Sequence, residues 1–211
     1  AAGWRAWVDG ALALHEASFL ARFEAVWGLE AKGLGPGAVS LGHFAQSNLL
    51  GGLGYFAGSV DIKPGAPTTA GDGGGAPPPP PGFAAALFSA TPSRSFFPRG
   101  FAWDEGFHHL LIKQWDPNLS ADALAHWMAT LHAHDQGGGG DDGGTGGGAE
   151  EEGPCSGLGW LPREQIRGEA AGRRVPAQFK PQDVTVANPP TLLLLLDALV
   201  NRAAAASAST A

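Results

Sequence analysis

The sequence predicts an all-α fold, part of a helical barrel or toroid with its functional loops at one end. Two observations predict it. Apolar residues recur at three- and four-residue spacing in four or five separate stretches, whereas alternating strand patterns are almost absent. Long loops join those stretches, and one of them, residues 93–108, holds four Phe, one Trp, two Arg, two adjacent carboxylates and a His. A solvent-facing loop has no need of so much aromatic surface, and a plain core has no need of so much charge. Aromatic walls with a few convergent charged groups are what a concave site for a polar ligand requires.

Residues 4–30 read as an amphipathic helix, with Trp4, Trp7, Val8, Leu12, His15, Phe19, Phe23, Val26 and Trp27 as its stripe. Gly33-Leu34-Gly35-Pro36-Gly37 stops it. A second helical pattern, Val39 to Leu50, runs into Gly51-Gly52-Leu53-Gly54-Tyr55-Phe56, where small residues let another backbone approach. Seven Pro and six Gly in residues 64–82 predict a linker or surface excursion. Residues 83–88 then re-enter as a short helix or strand. Asp104 or Glu105 begins a helix through Phe107, Leu110, Leu111 and Trp115, the early carboxylates suiting its dipole. Asp116-Pro117-Asn118 makes a turn, and Ser120 is the predicted N-cap of a helix burying Leu124, Trp127, Met128 and Leu131. Eleven Gly and five acidic residues in 137–157 predict disorder, because so little apolar surface cannot offset chain entropy. Residues 159–164 form an extended loop, and Asn188-Pro189-Pro190-Thr191 leads into a last helix from Leu192 to about Asn201. Residues 203–211 are a low-complexity Ala/Ser tail.

The 211 residues suffice for one domain or for part of a larger one. A net charge of −7 excludes a nucleic-acid binder that works through a basic stripe. A single cysteine, Cys155, excludes an intrachain disulfide framework, and its glycine-rich setting argues against a catalytic thiol. No run of 18 apolar residues and no signal-peptide pattern is present, so no membrane segment is expected. The chain opens in a helical pattern without a methionine, as an internal fragment would.

Within the central stretch, Asp104-Glu105 is the first candidate for chemistry. Apolar neighbours and a second carboxylate would push one pKa up, as a general acid requires. Spacing alone equally fits an ordinary helix start, with the Asp capping and the Glu on the surface. Arg94 and Arg99 are either forks that fix sugar hydroxyls or orient a carboxylate, or members of a buried structural ion pair with Glu105 or Glu164. Arg163-Glu164-Gln165, following Trp160, adds three more hydrogen-bonding side chains. Glu105-x-x-His108 has the spacing of a helical metal-ligand pair, but the sequence holds no second such pair, so a structural histidine is the reading and no metal or cofactor is expected. Gly52-x-Gly54 lacks the preceding strand a dinucleotide fingerprint needs.

These motifs carry a specific resemblance. Residues 93–108, Trp115-Asp116-Pro117, Gly159-Trp160-Leu161-Pro162-Arg163-Glu164-Gln165-Ile166 and Ala187-Asn188-Pro189-Pro190-Thr191-Leu192 resemble the processing α-glucosidases of glycoside hydrolase family 63. Residues 46–56 are similar to the family's segment upstream of its catalytic loop, and the likeness is collinear over about residues 15–200 outside the two inserts. The resemblance implies a partial (α/α)6 toroid within one catalytic domain. It also implies an inverting, metal-free exo-α-glucosidase that removes the terminal α-1,2-linked glucose from the triglucosylated, mannose-rich N-glycan precursor. The setting it implies is the lumen of the endoplasmic reticulum, in a type II membrane protein. The family's general acid maps to Asp104. Phe97, Arg99, Phe101, Trp103, Glu105, His108, Trp160, Arg163 and Glu164 are the expected walls and sugar contacts. The family's general base lies in a part of the domain beyond residue 211, so the rest of that domain is an expected partner. Two departures stand out. Residues 137–157 are inserted near the expected pocket, and the family's Gly-Asp-Glu-Ala-Arg reads here Gly168-Glu169-Ala170-Ala171-Gly172. The missing base leaves a second reading, a non-catalytic carbohydrate-binding or interaction remnant.

Overall fold

A computed structural model describes residues 2–63, 85–131, 160–183 and 186–208. The inserts expected at 64–82 and 137–157, Cys155 and the last three residues of the tail lie outside them. The described chain is mostly helical: α1 (Ala2–Trp27), α2 (Pro36–Leu50), α3 (Ala102–Trp115), α4 (Pro117–Met128), the short α5 (Gly168–Gly172) and α6 (Thr191–Ala208). Two small antiparallel sheets interrupt it. Strand β1 (Gly54–Gly58) pairs with β2 (Ala85–Ser89), and β3 (Gly100–Phe101) pairs with β4 (Glu164–Gln165). The first pair was not legible as such, because β1 is Gly-Tyr-Phe-Ala-Gly and its alternation rests on one buried-side ring, Phe56.

Several boundaries move for local reasons. Gly28 adopts φ +56°, its N–H bonding to the Glu24 carbonyl, so α1 stops at Trp27 rather than near residue 30. Helix α4 starts at Pro117, whose missing N–H costs nothing there, and Asp116 is the cap: its Oδ1 accepts from the Asn118 N–H at 2.9 Å. Ser120, expected as that cap, lies one turn inside and is wholly buried. Ala123 and Trp127 are the buried residues of the α4 stripe, whereas Met128 and Leu131 are exposed. Helix α6 continues to Ala208, beyond the expected end at 201, because an alanine-rich run has high helix propensity. By length and composition α6 could also cross a membrane, with a mean hydropathy of 1.4 that Asp197 and Arg202 do not cancel.

The core sits where α3, α4, α6 and β2 meet. Leu87, Ala102, Trp127 and Leu192 form its centre, with Phe56, Leu124 and Leu161 around them. Helix α3 and α6 cross closely because Gly106 has no side chain: a Cβ there would lie 2.3 Å from the Thr191 carbonyl carbon and oxygen. Thr191 Oγ1 donates to the Trp103 carbonyl at 2.6 Å, tying the two helix starts together. Around this core, α1 contributes Phe19 and Phe23, which pack on His43 of α2, while Phe19 also meets Trp115. Of the rest of the expected α1 stripe, Trp4, Trp7, Leu12 and His15 are open, with Trp7 74% exposed, whereas Val8, Val26 and Trp27 are half-buried.

Gly106→Ala forces the α3–α6 crossing apart. Overpacking of this kind costs about 1–3 kcal/mol, so the thermal midpoint of the purified protein should fall by several degrees. An unchanged midpoint would contradict the crossing.

Candidate active site

The chemistry of the central stretch is sorted by the first turn of α3. Phe101 is the N-cap, so Trp103, Asp104 and Glu105 all fall in that first turn. The helical period then separates the two carboxylates. Ala102, Glu105, Gly106, His109 and Ile112 face the core, while Trp103, Phe107 and Leu111 form an exposed face at i, i+4, i+8. Asp104 and His108 lie one turn apart at the border, neither buried nor exposed.

Glu105 is the expectation that changes most. The surface position allowed by its helix-start spacing is excluded, and the sugar contact expected of it has no open face here, because its side chain has no exposure. Its Oε1 lies 3.0 Å from His109 Nε2, and the Ala90 N–H donates to both carboxylate oxygens at 3.1 and 3.2 Å. Ser89 Oγ lies 3.0 Å from Oε2 and 2.8 Å from the Ala90 carbonyl, so its single proton serves one of them at a time. The chain continues inward, with His109 Nδ1 2.9 Å from Ser120 Oγ. His109 and Ser120 are themselves wholly buried, so this Glu–His–Ser series meets no substrate and acts as internal bracing. Sequence reasoning missed Ser89, His109 and Ser120. The available signal was Glu105-x-x-x-His109 falling on the same helical face as Ala102 and Ile112.

The two carboxyls are driven in opposite directions. Burial raises Asp104, only partly offset by His108 and its own backbone, and the Glu105 charge raises it further. Burial also works to raise Glu105, but His108, His109 and the Ala90 N–H outweigh it and hold that carboxyl below its usual range. His108 Nδ1 is buried without a hydrogen-bond partner, 3.7 Å from Glu105 Oε2. A pair of acids with opposite shifts marks one as a proton holder and the other as a standing charge.

The other expected residues fall into two groups. Pairing of β3 with β4 sets Gly100 against Gln165 and Phe101 against Glu164, which brings Arg99 onto Glu164. The pair is buried, with side chains 7% and 8% exposed, so the ion-pair reading holds for Arg99 and its partner is Glu164 rather than Glu105. The Arg99 guanidinium lies over Phe101 at 5.2 Å and Phe97 at 5.8 Å, and the two rings meet edge to face. Its Nη1 is buried and lacks a hydrogen-bond partner. Trp160 lines a 360 Å³ apolar cavity with Ala102 at the start of α3, Met128, Leu131, Leu161, Pro189 and Leu193, and its Nε1 donates to the Val186 carbonyl at 3.2 Å. Arg163 is exposed, and its carbonyl accepts from the Ala102 N–H at the start of α3. Arg94 is exposed and donates to Asn48 Oδ1 at 2.8 Å, so the buried pair with Glu105 or Glu164 also expected of it is not formed. Where the family's pattern loses one acidic residue and one Arg, Glu169 pairs instead with Arg173 on the surface of α5.

A half-buried acid beside exposed aromatic rings, braced by a buried charge network on a helical scaffold, is an arrangement suited to acid-assisted cleavage of a polar substrate. The chain belongs to glycosyl hydrolase family 63: residues 5–137 and 156–211 match that family's C-terminal domain. The unmatched gap falls inside the glycine-rich, acidic insert. The chain is 37% identical over 163 residues to the mannosyl-oligosaccharide glucosidase GCS1 of Arabidopsis thaliana, covering 77% of this chain and 16% of that protein. It is 35% identical over 185 residues to alpha-glucosidase 2 of the same plant, covering 87% and 20%. It is 36% identical over 159 residues to the mannosyl-oligosaccharide glucosidase of Saccharomyces cerevisiae, covering 74% and 16%. The chain thus spans a fifth or less of the length of these relatives.

Glu164→Leu leaves the Arg99 charge buried without its partner and should cost about 3–5 kcal/mol in urea denaturation. The double change Arg99→Met with Glu164→Leu removes both charges and should recover much of that loss. Equal losses in the single and double variants would show that the pair is not an interacting unit.

Proposed function

We propose that the chain is part of the catalytic domain of an inverting exo-α-glucosidase that trims the terminal α-1,2-linked glucose from the triglucosylated N-glycan precursor, in the lumen of the endoplasmic reticulum. Asp104 protonates the departing glycosidic oxygen. The observation that carries the reading is the placement of neighbouring carboxyls: Asp104 lies at the half-buried border of α3 beside the exposed Trp103, whereas Glu105 is wholly buried and hydrogen-bonded. A general acid needs a raised pKa, and burial shifts Asp104 in that direction while Glu105 is shifted the other way. Family membership and the named glucosidases among the relatives support the substrate class.

Inversion needs a second carboxylate that activates water on the opposite face of the sugar, at about 6.5–9.5 Å from the acid. We assign that base to the remainder of the same domain, since the relatives are about five times longer than the stretch this chain matches. The uncovered faces support this. Trp4, Trp7 and Leu12 of α1, Leu41 and Phe44 of α2, and Leu193, Leu194 and Val200 of α6 are all exposed. The missing helices of an (α/α)6 toroid are what would cover them, and residues 64–82 and 137–157 are then inserts within that one domain. In the assembled site Trp103 forms a wall beside Asp104, with Phe97, Phe101 and His108 near the sugar. The Arg99 Nη1 proton, Trp160, Arg163 and Glu164 are further candidates for orienting hydroxyls.

Asp104→Asn in the full-length protein removes the proton but keeps the shape. Glucose release from the triglucosylated glycan should fall by about 10²–10⁴-fold while glycan binding persists. Undiminished release would sink the assignment of the acid.

A further inference from the structure

We propose that Glu105 is a positioning residue for the acid: the contacts from Ser89, Ala90 and His109 lock its carboxylate in the core, and this both fixes the first turn of α3 and sets a standing negative charge on the residue next to Asp104. The inference rests on the reading of Asp104 as the acid, and it assigns to Glu105 a role other than sugar contact. The geometry carries it. Glu105 has no exposure, yet both its oxygens are engaged, by the Ala90 amide at 3.1 and 3.2 Å and His109 Nε2 at 3.0 Å, with Ser89 Oγ 3.0 Å from Oε2. These contacts come from two directions, the end of β2 and the next turn of α3, and His109 is fixed in turn by Ser120 from α4. Three elements therefore converge on one carboxylate. The residue before it in sequence is the acid, so a shift of Glu105 shifts Asp104 with it.

The titratable groups acting on Asp104 are His108, which favours its ionised form, and Glu105, which opposes it. Those acting on Glu105 are His108 and His109. Among the described residues, β2 brings Ser89 to this end of α3, α4 brings Ser120, and α6 brings Thr191. At β3 and β4 the Arg99 and Glu164 charges neutralise each other, and Arg22 from α1 reaches α3 at its far end, at Trp115. Helix α2 turns His43 toward Phe19 and Phe23 of α1. Burial does most to raise Asp104, and the charge of the fixed Glu105 carboxylate adds to it in the same direction.

The test uses the full-length protein and glucose release from the triglucosylated glycan across pH, in three variants. The basic limb of kcat/KM reports loss of the acid's proton. Glu105→Gln keeps the shape and removes the charge, so Asp104 should ionise more readily and the basic limb should move to lower pH by at least about 0.3 unit. Glu105→Asp keeps the charge but draws it back from its donors, so kcat should fall by about 10- to 100-fold with the limb in place. Asp104→Asn separates the two claims. If it retains activity, the acid reading fails. If it is inactive but Glu105→Gln leaves the limb unmoved, that reading stands and the positioning role is overturned. Should Glu105→Gln fail to fold, Glu105→Asp decides: wild-type kcat there overturns the proposal, and a fall in kcat with the limb retained supports it.

Discussion

One buried carboxylate organises the described part of this chain. Glu105 has no water to solvate it, and an ionised group in that position is costly unless it is fully hydrogen-bonded. The surrounding fold supplies the bonds. Strand β2 ends so that the Ala90 amide points at the carboxylate, α3 places His109 one turn on, and α4 starts early enough, at Asp116-Pro117, to bring Ser120 beneath the imidazole. The close crossing at Gly106 then lets Thr191 hold the same turn from the α6 side. Each of these features is unremarkable alone. Together they fix the first turn of α3, and Asp104 inherits the result.

The aromatic surface reads differently once that turn is fixed. Trp103 and Phe107 stay open and meet edge to face, and Phe97 stays open beside Arg99. In an isolated soluble domain such a surface would be a liability. In the domain proposed for this chain, the remaining helices would close over it and the same rings would wall a sugar site. The uncovered faces of α1, α2 and α6 are consistent with the short span this chain covers of its relatives.

Much of the fold was legible because its determinants are local. Helical spacing marks the helices within a few residues, although Gly28 and Pro117 move two of their ends. The burial of Glu105 was not legible, because it depends on groups at Ser89, Ala90 and Ser120 that sequence spacing does not connect to it. The Arg99–Glu164 pair lay between these cases: the right partner was among the two candidates, but only the β3–β4 register chooses it. The α3 face was misleading for the same reason. The apolar residues that marked the helix, Phe107 and Leu111, are exposed, and the core takes Glu105 and His109 because their hydrogen-bonding partners lie there.

The central claim is that neighbouring carboxyls are held in opposite states by their surroundings, and a direct titration reads it. Carbon-13 labelling of aspartate and glutamate side chains in the full-length protein, with Asp104→Asn and Glu105→Gln used to assign the two signals, follows each carboxyl by NMR as pH is varied. Asp104 should titrate above the ordinary aspartate range and Glu105 below the ordinary glutamate range. Both carboxyls titrating at their ordinary values, or in the reverse order, would contradict the account.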